Sequence, residues 1–303
     1  MIDLHAHYLP GIDDGPTELE QSLEMARLAA ADGITDATVT PHHLNGRYRT
    51  DAATVRSALA ELQAAVADAA IALRLHPGSE VHLTPELPQA VAEGSAMTVA
   101  DRGRAVLVEP PVHHLPVGME AILSECLVQG VTPIIAHPER SRPLQQEIAP
   151  VRRWVEMGCL VQVTAQSFTG RFGHSARDAA AAMLAEGLVH ALASDGHRPY
   201  GRTPCIGEGR AVVAEWLGEA VAAEITEVIP AALLAGEAPD RKRLRRLVAE
   251  AVEARRPRPS WWRRLLGRHV GARHARDPGP RGRRGDGIRL QGRLLRRVGQ
   301  PRL

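Results

Sequence analysis

Cysteine is scarce in this chain, and so are aromatic rings. The three cysteines, Cys126, Cys159 and Cys205, are odd in number, far apart and outside any CxxC pair, which excludes a disulfide framework and a thiolate zinc site. Buried, inert thiols are expected. Cys205 also misses the thiol-phosphatase pattern of a cysteine with arginine six positions on: Arg210 lies five positions later and Ala211 takes the sixth. Aromatics make up 3% of the residues, a poor supply of stacking platforms for single-stranded nucleic acid. No uncharged apolar run approaches the roughly 18 residues of a membrane span. The first residues enter a strand pattern without a basic and then apolar leader, so a cytoplasmic protein is expected.

What is present is 303 residues with 44% hydrophobic content, enough for one large α/β domain or two ordinary ones. The formal net charge of +2 conceals an imbalance. From Ala254 to Leu303 there are 16 arginines against Asp277 and Asp286, about +14, which leaves 21 basic and 33 acidic residues, about −12, before it. Unequal halves suggest separate jobs.

Apolar, β-rich runs alternate with longer helical patterns: MIDLHAH, ITDATVTPHH, IALRLHPGSE, RAVLVEPP, VTPIIAHPER, LVQVTAQS and VHALASDGH. Seven strands separated by helices predict a parallel sheet, open or closed. Thr17 and Glu20 have capping-box spacing for the first helix, which Gly33 ends. Further helices are predicted at about 51–70, 119–129, 148–157, 176–186 and 210–234. Past Pro239 a basic helical stretch, DRKRLRRLVAEAVEARR, gives way to PRPSWWRRLLGRH and then to Arg, Gly and Pro. Residues 1–238 are therefore expected to form the domain and 239–303 a basic extension whose last forty or so residues are poorly ordered.

Metal-ligating residue types sit on those strands in a pattern. His5 and His7 share a strand face at i and i+2, about 7 Å apart along the chain. His42 ends the second strand, Glu80 the third, Glu109 the fourth and His137 the fifth, and Asp195 and His197 end the last. In a parallel β/α barrel the C-terminal strand ends meet on one face. A lone histidine is ordinarily a satisfied core or surface group; strand-end placement in six of seven strands sets these apart. Imidazole and carboxylate without sulfur suit Mn²⁺, Fe²⁺ or Zn²⁺, and eight ligands exceed the needs of one ion. Bridging carboxylates such as Glu80 and Glu109 lead to an expectation of two or three ions, an arrangement suited to hydrolysis. Arg140 in HPER and Arg202 in SDGHRPYGRTP follow ligand residues closely, and forked guanidiniums there suggest a phosphoester substrate.

HAH followed by Asp14-Gly15, then TPHH, Glu80, Glu109, AHPER and SDGH resemble the PHP (polymerase and histidinol phosphatase) superfamily. Within it, LPGIDDGP, TPHHLNGRY, HPGSE, AHPERSRPL and AQSFTGRFG are similar to the bacterial capsule and exopolysaccharide protein-tyrosine phosphatases, from Met1 to about Gly236. That resemblance implies a distorted seven-stranded, TIM-like β/α barrel with a manganese-dependent trinuclear centre. It further implies removal of phosphate from the tyrosine-rich tail of a membrane-associated tyrosine autokinase. Carried over by position, the ligands are His5, His7, His42, Glu80, Glu109, His137, Asp195 and His197. Arg140 and Arg202 become phosphate holders, and Asp14 takes either a metal or a proton.

Rival readings are a small-metabolite phosphatase, such as one for histidinol phosphate, and a nuclease, favoured only by the arginine-rich end. A third is a non-catalytic adaptor whose Trp261-Trp262-Arg263-Arg264 stretch meets an anionic lipid surface. Such membrane contact is compatible with catalysis.

Overall fold

The computed structural model describes residues 1–254. Parallel strands alternate with helices in a mixed α/β fold. The strands are β1 (Ile2–Ala6), β2 (Asp36–Val39), β3 (His42–His43), β4 (Arg74–Pro77), β5 (Glu80–His82), β6 (Ala105–Glu109), β7 (Thr132–Ala136), β8 (Leu160–Thr164) and β9 (Ala191–Ala193). They form a three-stranded sheet, β1-β2-β4, and a six-stranded one, β3-β5-β6-β7-β8-β9, with every pair parallel. Neighbouring residues such as Ile134 and Ile135 are both sealed from solvent, because helices cover parallel strands and leave neither face wet.

Two of the strand patterns in the sequence are each split in the structure. ITDATVTPHH becomes β2 and β3, and IALRLHPGSE becomes β4 and β5, the second piece passing into the other sheet. The breaks lie side by side, since Val39 is in register with Pro77. Pro41 and Pro77 bring no N–H to a ladder, so each interrupts its strand. At Gly78 the chain passes so close to β2 that a Cβ would stand 2.5 Å from Thr38 Cγ2. Beyond the breaks Glu80 N donates to Pro41 O at 3.1 Å, and the ladder resumes with His42 opposite Glu80. On the other side, Asp195 N donates to His5 O and His7 N donates to Gly196 O, both at 2.8 Å, tying the end of β1 to the turn after β9.

The first helix runs Leu19–Ala31 with Glu18 as its N-cap, one residue later than the Thr17–Glu20 capping box predicts. Gln21 supplies the capping contact instead, its Oε1 accepting from Thr17 N at 3.0 Å. Helices at Ala52–Asp68, Met119–Val128, Ala149–Met157 and His174–Ala185 fall close to their expected places. The predicted 210–234 helix is broken: Gly207–Leu217 stops at Gly218, whose φ of 95° no right-handed helix accommodates, and the chain restarts at Glu219. The basic helix Arg241–Ala254 lies on the body, with Leu244 and Val248 buried. Arg243 Nε stands 3.2 Å from the buried Glu224 carboxylate, and an Arg241 guanidinium NH donates to Val155 O. The extension expected from 239 therefore begins with a packed helix, while the tail's expected disorder and its tryptophan–arginine stretch lie outside the described residues.

Gly209 marks a close contact between the helix Gly207–Leu217 and the short helix Ala165–Phe168: a Cβ there would meet Ala165 O at 2.3 Å. Backbone on both sides leaves no flexible neighbour to yield. Gly209→Ala is expected to cost about 2 kcal/mol of stability, read from the urea unfolding midpoint. An unshifted midpoint would contradict this packing.

Candidate metal centre

The first strand sets the geometry. His5 and His7 project together, and their Nε2 atoms are 3.3 Å apart. Each imidazole has its other nitrogen engaged by an acceptor: His5 Nδ1 donates to Gln162 Oε1 at 2.9 Å, and His7 Nδ1 to Asp13 Oδ2 at 2.6 Å. With the ring proton on Nδ1 in both neutral rings, the two Nε2 lone pairs face one another. Bare lone pairs at that distance repel; a shared cation between them removes the conflict.

Glu80 lies beside the Nε2 atoms of both rings and is fully buried. Its Oε1 is 2.9 Å from His137 Nε2 and 3.3 Å from His5 Nε2, and its Oε2 is 3.0 Å from His42 Nδ1 and 3.4 Å from His7 Nε2. The His42 contact lacks hydrogen-bond alignment, and that nitrogen has no other partner, which is the relation of two ligands converging on one ion. Asp195 Oδ1 is likewise buried without a hydrogen bond, 3.3 Å from His5 Nε2 and 3.6 Å from His197 Nδ1. Glu109 comes from the side, 3.7 Å from His42 Nδ1 and 3.3 Å from His82 Nδ1. Asp14 Oδ1 lies 3.4 Å from both His42 Nε2 and His197 Nε2.

Every ligand candidate of the sequence is thus brought to one place, in four overlapping groups: His5, His7 and Glu80; His5, His137 and Asp195; His42, Glu80 and Glu109; and His7, Asp14, His42 and His197. The donors within each lie within 4.8 Å of one another. Nitrogen and carboxylate oxygen without sulfur fit a borderline divalent ion, and shared Glu80, His5, His7 and His42 fit more than one. Two ligand candidates sit on left-handed backbone, His137 at φ 31° and Asp195 at φ 49°. Non-glycine residues there cost of order 1–3 kcal/mol, a strain typical of functional sites.

Electrostatics follow from this crowding. Burial disfavours the charged form of His7, but the Asp13 carboxylate outweighs it and raises its pKa to about 9. His42, desolvated but set between Asp14 and Glu80, is pushed up to about 11. Against the desolvation of Glu80, His5 and His137 hold its carboxyl well below the usual range. Burial and nearby His7 take His197 down to about 4, leaving its imidazole neutral. Protons occupy the place that cations would take.

Arg140 and Arg202 both reach Asp195 Oδ2, the latter at 2.5 Å. Arg202 Nε is buried without a partner, so its fork has a free tooth. None of the cysteines joins the centre. Burial pushes the Cys126 and Cys159 thiols up to about 11 and about 12 and raises that of Cys205 as well.

A family model for capsular polysaccharide synthesis, CpsB/CapC, matches residues 1–235. This chain belongs to the CpsB/CapC family. It is 35% identical over 197 residues to the tyrosine-protein phosphatase YwqE of Bacillus subtilis, covering 65% of this chain and 77% of that protein. To the putative tyrosine-protein phosphatase CapC of Staphylococcus aureus it is 32% identical, covering 66% and 80%. To the tyrosine-protein phosphatase CpsB of Streptococcus pneumoniae it is 27% identical, covering 74% and 94%. A solved structure from the pair YwqE and CpsB, described as unique metal-dependent tyrosine phosphatases, superposes with a TM-score of 0.75 at 32% identity. It covers 78% of this chain and 96% of that one.

Sequence reasoning passed over two residues of this CpsB/CapC site. Asp13 was overshadowed by its neighbour Asp14, yet Asp13 fixes the His7 tautomer and accepts from His42 N at 3.0 Å and Gly15 N at 2.9 Å. Gln162 sits on β8, which corresponds to the one predicted strand without a ligand candidate; its signal was a lone amide in an otherwise apolar run. A buried brace completes the frame: Asp3 accepts from His5 N, Ser194 N and Ser194 Oγ, and desolvation raises its carboxyl to about 6.

Asp13→Asn replaces a carboxylate on a candidate ligand histidine and is expected to weaken divalent-metal binding 10- to 100-fold with folding retained, measured by metal titration. An unchanged affinity would exclude the orienting role. Because His7 and His42 hold protons that a cation must expel, metal affinity should climb between pH 6 and 9, with proton release on binding. Stability of the metal-free chain should move oppositely: a raised histidine pKa contributes fully below about 6.5, and the His7 share is lost as pH rises through about 9. pH-independent metal affinity would contradict both.

Proposed function

We propose that this chain is a metal-dependent protein-tyrosine phosphatase acting on a phosphotyrosine protein, a membrane-associated tyrosine autokinase of capsule or exopolysaccharide production. The observation that carries this reading is the convergence of His5 Nε2 and His7 Nε2, 3.3 Å apart, on the Glu80 carboxylate, with two guanidiniums on Asp195. Family membership and tyrosine-phosphatase relatives support it. Two or three manganese ions are the proposed cofactor, held by His5, His7, His42, Glu80, Glu109, His137, Asp195 and His197. Asp14 joins them as an ionised ligand rather than a proton donor: despite partial burial, contacts with His197 and His42 hold its carboxyl well below the usual range. The nine strand pieces are read as the seven staves of a distorted PHP barrel, two of them broken. Residues 1–238 form the phosphatase unit and 239–303 its basic extension. Among the described residues no helix is long and apolar enough to cross a membrane, and we place the protein in the cytoplasm, at the inner membrane face where its substrate resides.

When bound, the ions supply Lewis-acid polarisation of the phosphoryl oxygens and of water. The chain's own side chains do the rest. Arg140 and Arg202 hold two phosphate oxygens; both already converge on one carboxylate oxygen, a cationic notch that an entering phosphate can share. Gln162 and Asp13 keep His5 and His7 in the tautomer that offers Nε2. Cys126 and Cys159 are buried, Cys205 is half-buried, and none lies among the converging donors, so the proposed route passes phosphate directly to water. A phenolate, with pKa near 10, departs without the strong general acid that an alkoxide requires.

Phosphate release from a phosphotyrosyl peptide should depend on added manganese, stop with EDTA, and exceed release from histidinol phosphate. Equal or better turnover of histidinol phosphate would transfer the reading to a metabolite. His5→Ala and Asp195→Ala are expected to abolish both metal loading and turnover. Arg202→Lys keeps the charge but loses the fork, so KM should rise about tenfold at unchanged metal content. Full activity of the EDTA-treated chain would end the proposal.

A further inference from the structure

Only two phenylalanines and three tyrosines occur in the whole chain, and one of these rings, Phe172, stands against a phosphate-holding arginine. The Arg140 guanidinium carbon lies 4.6 Å from the Phe172 ring centroid, while the same guanidinium contacts Asp195. Phe172 is half-buried, neither in the core nor free in solvent.

Its segment is fixed to both flanks of the site. Glu139, the residue beside Arg140, is fully buried, and its Oε1 accepts from Thr164 N at 3.0 Å and Ser167 Oγ at 2.7 Å. Gln166 Nε2 donates to Thr203 Oγ1 at 3.3 Å, and an Arg171 guanidinium NH donates to Gly201 O at 2.5 Å. Residues 164–172 are thereby pinned to the HPER turn on one side and to the loop carrying Arg202 on the other. Four hydrogen bonds are more than a ring needs merely to cover an arginine stem.

Resting on the phosphatase reading above, we propose that Phe172 is the specificity wall of the site: the aromatic ring of the phosphotyrosine leaving group packs against it while Arg140 holds the phosphate. In an aryl phosphate a single oxygen separates phosphorus from the ring, so a phosphate on Arg140 carries its ring into reach of a side chain already touching that guanidinium. Paired aromatic rings contribute about 0.5–1.5 kcal/mol beyond area burial, up to about tenfold in affinity. An alkyl or free phosphate gains nothing from the wall. Tyr48 also stands near the centre, parallel to His42 at 6.0 Å, but it backs a proposed ligand rather than a phosphate holder.

The test uses the manganese-loaded full chain, as wild type, Phe172→Ala and Phe172→Tyr. Calorimetric titration with phenylphosphonate and with inorganic phosphate is run beside phosphotyrosyl-peptide kinetics. Phe172→Ala should weaken phenylphosphonate and raise peptide KM five- to tenfold, leave inorganic phosphate within about twofold, and keep the metal content; Phe172→Tyr should restore both. Equal weakening of inorganic phosphate would reduce Phe172 to a support for Arg140 and overturn the proposal, as would no change with either ligand. Wild-type enzyme inert toward phosphotyrosine would instead count against the phosphatase reading, and the calorimetric contrast would still decide the ring contact.

Discussion

A buried carboxylate ringed by imidazoles is the constraint on which this molecule depends. Glu80, fully desolvated, has four histidine nitrogens within 3.4 Å, from the ends of β1, β3 and β7. A charge in that position is costly unless counter-charge sits beside it. Protonated imidazoles can supply it, but then His5 and His7 repel one another across 3.3 Å. Divalent cations would satisfy the carboxylate and the imidazole nitrogens together, so one arrangement would serve both electrostatic stability and the proposed phosphoester chemistry.

Several local irregularities of the fold trace back to this demand. The proline-marked breaks after β2 and β4 let the chain leave one sheet and enter the other, bringing His42 opposite Glu80. Left-handed backbone at His137 and Asp195 stores strain that the surrounding hydrogen bonds offset. Asp3, with no route to the centre itself, joins β1 to the turn after β9 through Ser194, so the strands bearing His5 and Asp195 cannot drift apart. Asp13 does similar work for the loop after β1, gripping His7, Gly15 and His42 at once.

The arginines give the centre its direction. Both meet Asp195 Oδ2, and Arg202 retains an unpaired buried Nε. In the proposed reading, a phosphate arriving there would complete a set of interactions that the protein alone leaves incomplete. Phe172 extends this asymmetry outward, since the ring lies on the guanidinium that also faces the ligands. Metal, phosphate and leaving-group ring would, on the same proposal, each meet a different set of side chains, and the short AQSFTGRFG stretch is tied firmly to its neighbours.

The donor set was legible in the sequence because metal-ligand residue types stood at strand ends, and a parallel fold sends strand ends to one face. The alternation of strands and helices was legible for the same reason of periodicity. Strand breaks were not: TPHH and HPGSE read as continuations, although proline withholds the N–H that a continuing ladder needs. The first cap fell one residue off because Gln21, not Glu20, reaches back to Thr17. Asp13 and Gln162 escaped notice because each matters only through a partner fixed by folding, Gln162 lying 157 positions from His5. The sequence by itself determined which donors exist and their order along the chain. Only the tertiary structure decided which nitrogen of each histidine is free, which carboxylate is shared and which ring stands beside Arg140, since these depend on distances of a few ångströms between residues far apart in the chain.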